Sequence, residues 1–401
     1  MREGWTYKKL GEVAVKISDG SHNPPKGVDY SPYPMLSSKN VFFDYYNYDD
    51  PRYLSKEAFE EENKRTDISE GDVLLTIVGT VGRTCCVKSP FIPFTLQRSV
   101  AVLKPKKENI ASRFLMYALH SLSELWNKEA KGVAQKGVYL KQLASIPIPV
   151  PPLSEQQRIV SELDLLSSII EKKKVQLKEY DQLAQSIFYD MFGDPVTNEK
   201  GWEMVVFSNV CETVTDFVAA GSFADLRKNV EYNDAPDYAQ LIRTVDLKNG
   251  FLKKAFVYVN KHAFDYLWRV NLDRDAIILP NVGVNCGEVY YIKPSMLPYK
   301  YNVLGPNAIL VRSNHENHIY LSYYFRSPYF LSQIEKITNA VGQPKFNKTE
   351  LKKLLVCLPP LSLQQSFASK IETIESQKAF IRQSITEAET LFNSRMDYYF
   401  N

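Results

Sequence analysis

Pro151-Pro152-Leu153-Ser154-Glu155-Gln156-Gln157 returns 208 residues later as Pro359-Pro360-Leu361-Ser362-Leu363-Gln364-Gln365. Working outward at the same offset, Val133-x-Gln135 matches Val341-x-Gln343, and positions 133–157 share nine identities in 25 with 341–365, without a gap. Further upstream, Gly4-Trp5 returns as Gly201-Trp202 at offset 197. Asp72-Val73-Leu74-Leu75 followed by Val78-Gly79 is paralleled by Asp275-Ala276-Ile277-Ile278 followed by Val282-Gly283. The changing offset marks insertions inside corresponding modules. The chain is therefore a tandem duplication, divided near residue 200, with diverged interiors and a common ending.

The residues after each Pro-Pro-Leu-Ser carry a heptad stripe. In the first copy it runs through Ile159, Leu163, Leu166, Ile170, Leu177, Tyr180, Ala184, Ile187 and Met191, with Lys173 filling one seam position. In the second it runs through Phe367, Ile371, Ile374, Ile381, Ile385, Ala388, Phe392 and Tyr399, interrupted by Lys378 and Arg395. Alternating steps of four and three over this length predict coiled-coil helices. Ser154 and Ser362 stand where an N-cap is wanted, and Gly193-Asp194-Pro195 stops the first helix. A long helix with a narrow apolar seam needs a partner, and the nearest is its own repeat. Antiparallel pairing would put the two modules at opposite ends of a rod. The alternative is that each helix packs back on its own module.

The rest of each copy reads as mixed α+β. Strands are expected over 73–78, 99–103, 256–259, 276–279, 288–292 and 308–311, helices over 113–128 and 319–336, and loops over 18–26 and 281–287. The expected organisation is a first module at 1–150, a central helix at 151–193, a second module at 194–358 and a C-terminal helix at 359–401. The fold class is α+β: two tandem mixed α/β domains separated by two long helices in an antiparallel coiled coil, with a pseudo-twofold internal repeat.

Composition narrows the function. The chain has 401 residues, 44% hydrophobic and 24% charged, and a formal net charge of +3. There is no run of 18 apolar residues and no apolar signal region at the start, so neither a membrane span nor export is expected. The five cysteines, Cys85, Cys86, Cys211, Cys286 and Cys357, are odd in number and lack Cys-x-x-Cys spacing, which predicts reduced thiols in the cytoplasm. The small net charge is a cancellation. Residues 1–150 carry +4, 151–200 carry −3, 201–360 carry +3 and 361–401 carry −1. The modules are mildly basic and the helices mildly acidic.

Catalytic patterns fail in turn. Asn23-Pro24-Pro25-Lys26 has lysine where an amino-group methyltransferase motif needs an aromatic to stack on a flipped base. Glu129-x-Lys131 has the spacing of a nuclease metal motif but lies in a helical, Lys-rich stretch without a convincing upstream Asp partner. His315-x-x-His318 reads as a helix start rather than a ligand pair, and Gly79-x-x-Gly82 lacks the Lys-Ser/Thr of a phosphate loop. No metal site is expected.

The duplicated Gly-Trp opening, the Gly71–Leu74 segment before Gly-x-x-Gly, Gln135-Lys136-Gly137, and Pro-Pro-Leu-Ser-Glu-Gln before a long helix together resemble the specificity (S) subunit of type I restriction–modification enzymes. The resemblance covers nearly the whole chain. Asp19-Gly20-Ser21-His22-Asn23-Pro24 also resembles the Asp-Gly-Thr-His loop of these recognition domains. The second copy departs from the pattern: Leu363 replaces Glu, residues 217–222 lack the Asp-Gly-Ser-His run, and Pro344 replaces the basic residue after Gln343.

The resemblance implies two target-recognition domains, each reading half of an asymmetric bipartite DNA site. It implies helices that act as a spacer and dock two methyltransferase (M) subunits, and restriction (R) subunits joining them. S-adenosylmethionine, ATP and Mg would sit on those partners, and this chain would hold no cofactor and perform no catalysis. By residue type, DNA contacts are expected from Ser21, His22, Lys26, Lys39, Asn40, Arg83, Arg98 and Lys136 in the first module. In the second they are expected from Arg227, Arg243, Thr244, Asn281, Asn285, Lys345 and Asn347. Two rival readings are a two-module DNA-binding or scaffold protein that works without a methyltransferase, and an enzyme with an unrecognised site.

Overall fold

The computed structural model describes residues 4–123, 126, 137–252, 255–339 and 342–400. It divides into two compact units, 1–175 with 382–401, and 176–381. Each therefore takes its module together with part of both long helices, Leu153–Phe192 and Leu361–Phe400.

The duplication extends to strand order. In the first unit an antiparallel sheet runs Ala14–Asp19, Val100–Pro105, Val73–Thr76, Thr84–Cys86. In the second the same order is Thr213–Asp216, Ala308–Arg312, Ala276–Pro280, Tyr290–Ile292. A smaller sheet accompanies each. Pro34–Leu36 lies between antiparallel Arg52–Tyr53 and parallel Thr95–Leu96. Its counterpart, Ala239–Ile242, lies between antiparallel Val257–Val259 and parallel Asn302–Leu304. Finally, the first strand of each module pairs with its last: Thr6–Lys9 with Pro147–Val150, and Glu203–Val206 with Leu355–Leu358.

Period-two alternation sorts the central strands onto two cores. Ala276, Ile278, Ala308 and Leu310 face the small sheet, with Leu241 and Val303. Ile277, Leu279, Ile309 and Val311 face the helices, against Tyr320, Tyr324 and Phe367. Covered on both faces, these strands read as continuous apolar runs, which is why they are visible in the sequence.

The expected helix over 319–336 is two helices, His318–Phe325 and Pro328–Ile337. Ser327 caps the second by accepting from Phe330 N at 3.3 Å, and Pro328 has no N–H with which to continue the first. Over 113–128 the structure describes a helix at Ser112–Ser121, and much of the remainder lies outside the described residues. The expected serine caps are also corrected. The Pro152 carbonyl accepts from Glu155 N and Gln156 N, and the Pro360 carbonyl accepts from Leu363 N and Gln364 N. Each helix thus starts directly behind its prolines, and Ser154 and Ser362 fall inside the first turn.

Gln156 and Gln364, fully buried, close these helix starts. Gln156 Oε1 accepts from Ala111 N at 2.8 Å, and its Nε2 donates to Pro151 O and Asn109 O. Gln364 Oε1 accepts from Asn317 N at 3.0 Å, and its Nε2 donates to Pro359 O and Glu316 Oε2. The repeated glutamine therefore ties each long helix to the preceding strand and to the start of the module's own helix.

Within each unit the long helices run antiparallel. In the first, Glu162 takes Arg395 and Lys174 meets Glu389 at 2.8 Å. In the second, Asp181 meets the seam residue Lys378 at 2.6 Å. Ile159, Leu163, Ile170, Phe367, Ile371, Ile374, Ile381, Ile385 and Phe392 are buried, while Leu166, Leu177, Tyr180 and Ile187 are half-buried. The helices also lie on their own modules: Arg113 is shared between Asp44 and Asp164, and Phe188 stacks on Tyr320. Within each unit, then, the helices pair with each other and also pack on their own module. Among the described residues, no helix is long and apolar enough to cross a membrane. The cysteines are free, and burial pushes the Cys86 thiol up to about 12.

Two histidines make the fold acid-sensitive. Burial lowers His120 from 6.5 to about 4, and its ring stacks on Phe43 at 4.0 Å. His318 is lowered too, chiefly by burial, and its Nε2 accepts from Ser313 N at 3.2 Å. A base whose folded-state value is depressed takes up protons more readily when unfolded. Its stabilisation is complete above pH 6.5 and is lost as the pH falls towards 4. For His120 the loss should reach roughly 2–3 kcal/mol. Melting of the first unit followed from pH 7 to 4 should show this decline, and His120→Phe should flatten it.

Candidate nucleic-acid interface

In the first module the loops that leave the strand ends converge. Ser21 N donates to Leu96 O at 2.8 Å, and Arg98 N donates to Ser21 O at 2.9 Å. Ser38 N donates to Ser99 Oγ at 3.0 Å, and Ile77 N donates to Ser99 O at 2.9 Å. Val78 bridges Gly137. Segments 19–22, 37–40, 77–82, 96–99 and 137–138 therefore form one end of the module, with Ser99 at the hub.

That end gathers Ser21, His22, Lys39, Asn40, Arg83 and Arg98. Ser21 is buried, its hydroxyl donating to Glu62 Oε1 at 3.0 Å. His22 Nε2 lies 2.7 Å from Asp19 Oδ2. Lys39 pairs with Asp50 at 2.6 Å. Asn40 is buried, with its amide spent on Ser37 N, Asn47 and Asp49 O. Arg83 donates to Val41 O and lies over the Phe42 ring. Arg98 is exposed, with no ion pair or side-chain hydrogen bond among the described residues. Lys26 is likewise exposed, further along a loop braced by Arg52 on Pro25 O. Lys136 lies outside the described residues.

The second module repeats the arrangement with other side chains. Val282 bridges Lys345 as Val78 bridges Gly137. Asn281 Nδ2 donates to Phe346 O, and Phe346 N donates back to Asn281 O. Asn285 accepts from Lys248 Nζ at 2.6 Å, which joins helix Thr244–Lys248 to this loop. Thr244 is the first residue of that helix. Arg243 forks onto buried Asp246 and donates to Ala255 O, so most of its donors are committed. Asn347 caps helix Lys348–Leu351. Lys345 is exposed without a side-chain partner among the described residues, as is Arg227 on helix Phe223–Asn229.

Reading by residue type passes over Asp19, Arg65, Asp216 and Lys348. Asp19 accepts from Arg65 and holds His22; Asp216 accepts from Lys348 Nζ at 2.7 Å. A signal is present all the same: offset 197, which carries Gly4-Trp5 onto Gly201-Trp202, also carries Asp19 onto Asp216.

Among the described residues the loop ends thus present the unpaired cations Arg98 and Lys345 and the exposed His22 ring on rigid strand ends, a donor set suited to phosphates and base edges. Elsewhere, His315 lies 3.5 Å from Glu212, while the His318 Nε2 is already taken by Ser313 N.

A family model described as Type I restriction modification DNA specificity domain matches residues 2–179 and 199–390. The MjaIX specificity subunit of a type I restriction enzyme from Methanocaldococcus jannaschii is 22% identical over 393 residues, spanning 92% of this chain and 86% of that protein. The EcoBI specificity subunit from Escherichia coli is 32% identical over 152 residues, 36% of this chain and 32% of that protein. Among solved structures, the type I restriction-modification S subunit from M. genitalium matches with a TM-score of 0.54 at 14% identity, covering 99% of this chain and 96% of that one. A chain solved in work on assembly and conformational transition of the type I R-M system matches with a TM-score of 0.55 at 15% identity, over 99% and 97%. At such identities the likeness is one of fold.

Proposed function

The chain belongs to the type I restriction modification DNA specificity family, and on that premise we propose that it reads an asymmetric bipartite DNA site, one half at the loop end of each module. It is the specificity component and not the catalyst. The observation that supports the two-part reading is the pair of equivalent loop ends bearing unlike side chains: Asp19-Gly20-Ser21-His22 on one falls on Asp216-Phe217-Val218-Ala219 on the other, and Gly137, bridged by Val78, falls on Lys345, bridged by Val282. Equivalent frames with different donors read different bases.

The long helices dock methyltransferase subunits. Their seam is buried within the chain, so docking falls to the outward apolar residues Leu165, Val175, Leu183, Leu391 and Phe380, the last 71% exposed. Large apolar side chains left in solvent beside the filled seam are available as anchors for a protein partner, Phe380 foremost. S-adenosylmethionine, ATP and Mg belong to the methyltransferase and restriction partners, and the assembly works in the cytoplasm.

Methylome sequencing of the host, with and without the gene for this chain, tests the reading. The expected result is a two-part, non-palindromic methylated motif that vanishes with the gene. A symmetric single-part motif, or methylation that persists without the chain, contradicts it. Phe380→Glu should weaken co-purification with the methyltransferase at least about tenfold, the scale of one lost apolar anchor.

A further inference from the structure

Asp19 is the last residue of strand Ala14–Asp19, and Asp216 is the last residue of its counterpart Thr213–Asp216. Both carboxylates are withdrawn from solvent, with Asp19 5% exposed and the Asp216 side chain 15%. A withdrawn carboxylate must be matched by donors, so its partners are fixed along with it.

In the first module one oxygen accepts from Arg65 of helix Lys56–Thr66, whose Nε also donates to the Asp19 carbonyl at 2.8 Å. The other oxygen holds His22 Nε2 at 2.7 Å. The His22 side chain is 53% exposed, and with Nε2 tied inward its Nδ1 edge is left for a ligand. In the second module Asp216 Oδ1 accepts from Ala219 N at 3.0 Å, closing the turn Phe217–Ala220, and from Lys348 Nζ at 2.7 Å. The cations come from unrelated places, 46 residues after Asp19 and 132 after Asp216. The carboxylate has kept its place while everything it holds has changed.

We propose that Asp19 and Asp216 are equivalent positioning residues, each fixing the first loop of its module on its own half of the DNA site. This rests on the DNA-reading proposal above. Asp19 acts through His22, and Asp216 acts through the turn 217–220.

The test uses the full chain assembled with its methyltransferase, on a duplex carrying the motif found by methylome sequencing, with protection of each half-site footprinted separately. Asp19→Asn should lower protection of one half about tenfold, the scale of one charge-assisted hydrogen bond, and leave the other unchanged. Asp216→Asn and Lys348→Met should do the converse. His22→Ala, an exposed change that leaves the core intact, should reproduce Asp19→Asn, and the double variant should lose no more than either single one. A purely structural role predicts a lower melting temperature with additive losses. Equal loss on both halves, unchanged footprints, or additivity of Asp19→Asn with His22→Ala would each overturn the proposal. A wild-type assembly that protects neither half overturns the DNA reading itself, a result separable from failure of the aspartates.

Discussion

Gln364→Leu should destabilise the second unit by roughly 3–5 kcal/mol, and Gln156→Leu should do the same to the first, because buried backbone groups left without partners cost about 1–3 kcal/mol each. Leucine nearly matches the volume of glutamine, so packing survives and the polar groups take the loss. In the second unit Asn317 N–H and Pro359 C=O lose their partner. In the first, Ala111 N–H, Asn109 C=O and Pro151 C=O do. Urea unfolding of each variant should show one transition moved to lower denaturant and the other in place. A shift below about 0.5 kcal/mol, the size of an ordinary surface substitution, would mean that the clip contributes nothing.

Gly20→Ala should be the most damaging single methyl group in the first module. A Cβ there would sit 2.0 Å from Leu96 O and 2.6 Å from Gln97 C. These are backbone atoms, so no side chain can turn away. Relief requires breaking Ser21 N to Leu96 O or Gly20 N to Val100 O, the bonds that seat the loop. The expected cost is about 3 kcal/mol, as for overpacking a rigid site. Protection of the half-site read by this module should disappear while the other half stays protected. Thermal melting and half-site footprinting measure the two effects, and a variant that folds and protects normally would show that the loop can be seated another way.

How much of this is legible in the sequence depends on the range of the forces involved. The helix pair declares itself because a heptad seam is a local pattern, and even Lys378 and Arg395, which break it, mark where Asp181 and Glu162 meet the opposite helix. Strands such as Ala276–Pro280 are legible because both faces are covered. Helix boundaries at Ser154 and at Pro328 are less so, since a proline carbonyl or a serine cap decides them through single hydrogen bonds. The loop ends are legible only as residue types. That Arg98 has no side-chain partner among the described residues while Arg243 is bound to Asp246 depends on the fold. That Asp216 finds Lys348 is a contact across 132 residues, and no local spacing encodes it.

The first unit is discontinuous in a way that matters while the protein is being made. Phe400 packs on Phe114, and Phe392 packs on Phe43 and Tyr117. These late residues join a unit whose other part ends at Val175, with roughly 200 residues between. At a synthesis rate of about 5–20 residues per second, the ribosome needs on the order of 10–40 s to supply them. For that interval the nascent first module carries an uncovered aromatic face, open to chaperones and to like faces on neighbouring nascent chains. A message truncated anywhere in the second module would leave that face permanently open, and its product should be cleared by proteolysis rather than persist as a one-module reader.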